Sequence, residues 1–314
     1  MQTSTYRQFV SKELIALGFG ILAITFAPIL IKLSSQELGA NAIVFHRFWV
    51  ATLVLGIWNR IKIEKNKENE IDSEQLQPKT TENWLLLLGA GVADAFCMVA
   101  WAWSIERTSI AHSTLLHNLT PIFTTLGGWL FFGQYFEMKF LLGVAITIGG
   151  SIAIVLEDWQ LASGSFIGDQ AALFSAIAYS IRLLAIERLR DRLSTTTIIL
   201  WISLITTLAV IPTALLFEER IFPSSWLVWI AVILQGLLCE VIGQGAIAYS
   251  LKRFSSGFVS LCLLLEPVLA AILAWFIFVQ ELSILDLFAF PVILLGIYLA
   301  KSSEGSEKSE LQDY

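Results

Sequence analysis

Three carboxylates, Asp94, Glu240 and Glu266, stand inside otherwise apolar stretches of the sequence. An ionised side chain in hydrocarbon costs at least roughly 2.5–3.5 kcal/mol, so such groups face protein or water and bind a cation, carry a proton, or pair with a buried guanidinium. Glu266 directly precedes Pro267. A proline there frees a backbone carbonyl one turn earlier and kinks the helix, opening a notch where a carboxylate can be hydrated. The alternative for Glu266 is a protonated hydrogen-bonding anchor between helices. Glu240 shares a helical face with Gln244, and Asp94 with Met98 and Trp101. An acid beside an indole suits an amine, by charge pairing and cation–π attraction. Against that reading, Arg47 is available to pair with Asp94 and make the acid structural.

A second set of polar groups follows helical phase. At 100° per residue Ser109, Ser113, His117, Thr120, Thr124 and Gly127 fall within an arc of about 80°, with Asn118 nearly opposite. On that stripe His117 is placed to titrate during a transport cycle, together with Glu266, and Pro121 and Pro267 are placed as helix hinges. The expected midplane cavity is therefore Asp94, Trp101, His117 and Thr120 from one half of the chain with Glu240, Gln244 and Glu266 from the other. It holds three acids and no Lys or Arg, and no helix N-terminus is visibly broken at midplane to bind an anion, so phosphorylated and strongly anionic ligands are disfavoured. Arg47 and His46, in the outer half of the second span, read as structural groups. Lys32 and Arg182 read as anchors that snorkel to the interfaces.

The elements that must hold these residues are membrane helices. The chain of 314 residues is 56% hydrophobic and only 15% charged, with mean hydropathy +0.72, too few charges to cover a soluble surface. Windows near the roughly 20 residues needed to cross a bilayer lie at about 13–33, 40–60, 83–105, 109–133, 138–156, 167–187, 196–217, 226–248, 255–278 and 284–301. Between the second and third, residues 61–82 form a charged stretch that reads as a solvated cytoplasmic loop, and 302–314 as a cytoplasmic tail. An uncleaved first span is expected, because its apolar run exceeds a signal core. With the N-terminus inside, fifteen Lys and Arg fall on the inner side and three on the outer, so both termini are expected to be cytoplasmic.

An offset of 146 residues repeats the chain: Arg107 falls on Arg253, Asp94 on Glu240, Ser109 on Ser255, Pro121 on Pro267, Trp129 on Trp275 and Gly150 on Gly296. Repetition after five crossings inverts the second copy, the construction of many secondary carriers. Cys97, Cys239 and Cys262 lie within spans without metal or redox spacing and read as buried small hydrophobes. No enzyme signature, cofactor motif or metal-ligand spacing occurs, and no basic face suggests nucleic acid.

The blocks SIAHSTLLHNLTPIFTTLGGWLFFGQ (109–134) and SGFVSLCLLLEPVLAAILAWFIFVQE (256–281), each followed by a Gly-bearing span, resemble the ends of the two EamA units of the drug/metabolite transporter superfamily. The second is the nearer match, with LEPV at 265–268 and Glu281; the first has Thr120 where Glu266 stands and Gln134–Tyr135 where a Gly-Glu pair is usual. The resemblance implies an all-α membrane protein of ten helices in two inverted five-helix units, 13–156 and 168–300. It also implies alternating access around a cavity lined by the first, third and fourth helices of each half. The expected function is secondary transport of a small organic metabolite such as an amino acid or amine, with export over uptake, in the plasma (inner) membrane, coupled to a proton or a counter-substrate and without a cofactor. Two alternatives stay open: a uniporter or exchanger of neutral sugars or nucleosides, and a scaffold or sensor subunit without flux. A scaffold has no reason to align Ser, His and Thr on one arc of the fourth span.

Overall fold

The computed structural model describes residues 11–68, 77–107, 110–159, 166–278, 284–303 and 306–307. Ten spans follow one another. The first is α1 (Lys12–Ile24) and α2 (Ala27–Ser34); the second, third and fifth are α3 (Ala40–Glu68), α4 (Thr81–Arg107) and α7 (Met138–Trp159). The fourth comprises α5 (Ile110–His117) and α6 (Thr120–Phe132). The sixth and seventh are α8 (Phe166–Leu189) and α9 (Thr195–Phe217). The eighth joins α10 (Trp226–Leu234), a π-helical stretch Gln235–Gln244 and α11 (Gly245–Ser250). The ninth is α12 (Ser256–Leu263) with α13 (Leu265–Phe278), and the tenth α14 (Ile284–Lys301).

Five helical runs among the described residues are long and apolar enough to cross a bilayer by themselves: Lys12–Ser34, Ala40–Glu64, Thr81–Ser104, Thr195–Phe217 and Trp226–Ser250. The outer faces carry Phe19, Ile57, Phe131, Leu216 and Phe288 exposed, an arrangement that fits lipid and not water. Trp58 and Trp226 stand exposed near span ends, where indoles favour the interface.

Span packing obeys the inverted repeat. The third span packs on the sixth as the eighth packs on the first; the third on the seventh as the eighth on the second; the fourth on the sixth as the ninth on the first. The pairs second–seventh, fourth–ninth and fifth–tenth map onto themselves, so they straddle the pseudo-two-fold axis. The fifth–tenth crossing is tight because both partners are glycine: a Cβ on Gly143 would lie 2.6 Å from the Gly296 carbonyl oxygen. The chain is thus an all-α integral membrane protein of ten helices in two inverted five-helix units.

Three spans are interrupted, contrary to the expectation of unbroken helices at midplane. Pro28, Pro121 and Pro267 each stand in the first turn of the restarting helix, where a missing N–H leaves the carbonyl four residues back unbonded. At Pro121 that carbonyl belongs to His117, and the Thr120 hydroxyl donates to it at 2.7 Å. Pro212 and Pro291 lie within continuous helices, so proline alone does not set the breaks.

The loop expected at 61–82 starts later than the sequence suggests. α3 continues to Glu68, two turns past its apolar part, because Lys and Glu are good helix formers and Arg60 sits 4.0 Å from Glu64 one turn on. Opposite the N-terminus, the Glu37 carboxylate caps α10 by accepting from the backbone N–H groups of Ser224 (2.6 Å) and Ser225 (3.2 Å). The Ser225 hydroxyl and the Ser224 amide hold Glu37 below the usual carboxylate range. Its capping contribution is therefore complete at neutral pH and is lost only as pH falls through that lowered value.

Candidate functional site

Two acids of the sequence-based cavity meet two arginines. Arg182 on α8 is 1% exposed, with its Nε 3.1 Å from Asp94 Oδ2 on α4 and its Nη2 donating to Glu240 Oε1 at 3.3 Å. Its Nη1 donates to Gln244 Oε1 at 2.8 Å, and Gln244 Nε2 donates to the Tyr179 hydroxyl at 3.4 Å. Arg47 on α3 completes the chain by donating from Nε to Glu240 Oε2 at 3.0 Å. Asp94 and Arg47 belong to the first unit and Arg182 and Glu240 to the second, so the ion chain crosses between the units twice, at Asp94–Arg182 and at Glu240–Arg47, while the Arg182–Glu240 step stays within the second unit. Two guanidiniums against two carboxylates leave this tetrad neutral. The Asp94–Arg182 contact has no hydrogen-bond alignment, so Asp94 Oδ2 and Arg182 Nε attract as charges only.

This arrangement corrects three expectations. Arg182 does not snorkel: it turns inward to the repeat-equivalent acids. Arg47 pairs with Glu240 and not with Asp94. And the acids of the midplane are not free of cationic partners. The physical reason is common to all three, since two buried carboxylates close together repel strongly unless cations lie between them. The π-helical stretch carries both Glu240 and Gln244 toward Arg182, and such irregular turns recur at functional positions. Lys32, by contrast, is exposed at the end of α2, as a snorkelling anchor requires.

Beside the tetrad lies an aromatic shelf. The rings of Trp101, His117 and Tyr179 follow one another at centroid separations of 5.8 and 5.7 Å. Trp101 and His117 are partly exposed, and the Trp101 indole N–H has no hydrogen-bond partner among the described residues. His117 Nδ1 lies 2.8 Å from the Ser175 hydroxyl on α8. Glu266, in the first turn of α13, is partly exposed and makes no hydrogen bond or ion pair among the described residues, while lying within electrostatic reach of Arg47 and Tyr179. Arg47 keeps 12% of its side chain exposed, and its Nε is bonded to Glu240.

The rest of the polar stripe is consumed in packing. Ser113 accepts from Ser104 (3.0 Å), and the Thr124 hydroxyl lies 2.6 Å from Ser260 across the fourth–ninth pair. Thr120 is buried with its hydroxyl on the His117 carbonyl, and Asn118, on the opposite face, donates to Ser151 at 3.2 Å. Ser109 lies outside the described residues. At the end of the bundle that bears the N-terminus, Glu187 of α8 accepts from Gln134 Nε2 (2.6 Å) and from the Ser256 backbone N–H (2.8 Å), joining the fourth, sixth and ninth spans. The three cysteines are buried and free.

A family model described as the EamA-like transporter family matches residues 12–156 and 166–301. The chain belongs to this family. It is 23% identical over 298 residues to an uncharacterized transporter of Archaeoglobus fulgidus, covering 94% of this chain and 99% of that protein. To an uncharacterized transporter of Synechocystis sp. it is 23% identical over 246 residues, 72% of this chain and 68% of the relative. A solved crystal structure superposes with TM-score 0.75 at 17% identity, covering 92% of this chain and 97% of the other, and shares the fold.

Membership of the EamA-like family makes this chain a transporter and not an enzyme, embedded in a bilayer and acting on a small molecule. Of the seven cavity residues expected from sequence, Trp101, His117 and Glu266 stay partly exposed, whereas Asp94, Thr120, Glu240 and Gln244 are buried. Sequence reasoning passed over Ser175 and Tyr179, and misplaced Arg182. All three lie on one face of α8 at spacings of four and three residues, and Arg47 and Arg182 stand well inside spans, away from their ends, which was the available signal.

Proposed function

We propose that the protein is a secondary exporter of small metabolites bearing a primary amine, amino acids among them, working by alternating access with proton exchange at Glu266. One observation carries this: three midplane carboxylates face two guanidiniums, and the carboxylate left over, Glu266, is the one that is partly exposed and without a partner among the described residues. A lone negative charge in a low-dielectric setting needs compensation, which a bound proton supplies in the empty carrier and a substrate ammonium in the loaded one. Exchange of the two at one carboxylate couples their movements in opposite directions. The guanidinium of Arg47, bonded to Glu240 through Nε, suits the carboxylate of an amino acid, and the shelf of Trp101, His117 and Tyr179 suits its side chain. Export is taken from the family likeness.

A ligand panel tests the substrate class. Primary amines and amino acids are expected to raise the melting temperature of the purified protein, and dicarboxylates and sugar phosphates of equal size to leave it unchanged. Trp101→Leu is expected to weaken amine binding by about two- to thirty-fold, the span of a cation–π contact of roughly 0.5–2 kcal/mol. Stabilisation by sugars or nucleosides with no response to amines would assign the shelf to neutral ligands.

We place both termini in the cytoplasm on the Lys and Arg distribution, and the plasma (inner) membrane is the proposed location. Single cysteines at positions 70 and 190 are expected to react only from the cytoplasmic side and one at 219 only from outside. Labelling of position 190 from outside would break the inverted arrangement.

A further inference from the structure

The Ser175 hydroxyl has one proton, and it is already placed. Ser175 Oγ lies 2.6 Å from the Ala172 carbonyl oxygen, which can only accept, so the hydroxyl donates there. The same oxygen lies 2.8 Å from His117 Nδ1 and has only a lone pair left to offer. His117 must therefore donate from Nδ1, and in the neutral ring Nε2 is bare. Nε2 has no partner among the described residues, and the ring it belongs to is partly exposed at the shelf. His46 is the opposite case: the Trp49 indole N–H donates to its Nδ1 at 2.7 Å, so its Nε2–H donates to the Ile221 carbonyl at 2.8 Å and both nitrogens are satisfied.

We propose that Ser175 is a positioning residue that fixes His117 in the Nδ1–H tautomer, so that its bare Nε2 accepts a hydrogen bond from an N–H or O–H of the transported solute. Resting on the amine reading above, this deepens it: the site selects ammonium groups that still carry hydrogen over quaternary ones of the same charge. A buried acceptor left without its donor costs about 1–3 kcal/mol, so a trimethylammonium analogue is expected to bind about fivefold more weakly or worse than its primary amine. The neighbouring Trp101 N–H supplies a donor for an acceptor on the same ligand, which an amino acid carries beside its ammonium.

Nitrogen-15 spectra of histidine-labelled protein in nanodiscs test the assignment, with His117→Gln identifying the signal among the three histidines. The expected wild-type result is protonated Nδ1 and bare Nε2 at His117, against the reverse at His46. Ser175→Ala should release the tautomer and shrink the preference for primary over trimethylated ammonium, and Ser175→Thr, which keeps the hydroxyl, should restore both. Addition of a primary amine should shift the Nε2 signal, and its trimethylated analogue should not. An Nε2–H or doubly protonated His117 in the wild type overturns the proposal, as does an equal response to both ammonium ligands. If amines stabilise the protein while the His117 signal stays still, this proposal fails and the amine reading stands; if no amine stabilises it, the amine reading fails.

Discussion

Arg182→Met is expected to leave almost no folded protein, the largest loss of any single substitution in the bundle. Arg182 is 1% exposed and contacts Asp94, Glu240 and Gln244 at once. Removing it leaves two buried carboxylates with only Arg47 between the units, and breaking a buried pair from one side costs about 3–5 kcal/mol. Recovery of monodisperse protein after solubilisation measures it. Asp94→Asn in the Arg182→Met background should recover part of the loss, because the amide removes the charge that Arg182 compensated, and the double-mutant cycle isolates their coupling. Wild-type recovery of Arg182→Met alone would mean that the tetrad does not join the two units.

Glu266→Gln is expected to fold normally and to lose proton-driven transport by about ten- to a hundred-fold, the range set by losing a charged hydrogen-bond partner of roughly 1.5–3 kcal/mol. The amide keeps the shape of the side chain and removes its ability to release a proton, so pH-driven flux should fall far more than exchange of labelled for unlabelled substrate. The comparison is made on the same vesicles at two imposed pH differences. A variant with the pH dependence of the wild type would make Glu266 an anchor between helices.

The fold was legible because the signals behind it are repeated and long. Ten apolar windows and a 146-residue offset each fix the same architecture, and lipid requires that every such window be helical. The helix breaks were half legible: Pro121 and Pro267 stood out, while Pro28 did not, and Pro212 and Pro291 stand in continuous helices, so a proline by itself does not mark a break. At the site, the partly exposed Trp101, His117 and Glu266 could be named from chemistry and phase alone. Arg182 could not be placed, because seven residues from the end of α8 a guanidinium can either snorkel or turn inward, and only the partners across the bundle decide. Thr120 carried a similar ambiguity, since a hydroxyl on the polar arc serves a ligand or a carbonyl freed by proline, and its bond to His117 is local.

The most direct test of secondary transport of amines is flux in proteoliposomes holding the purified wild-type chain and no other protein. With a pH difference imposed across the membrane, a labelled amino acid or primary amine is expected to accumulate on the acidic side, against its own gradient, and to re-equilibrate when an ionophore dissipates the pH difference. No accumulation and no exchange of any amine, in vesicles where the same protein exchanges a sugar or nucleoside irrespective of pH, would contradict it.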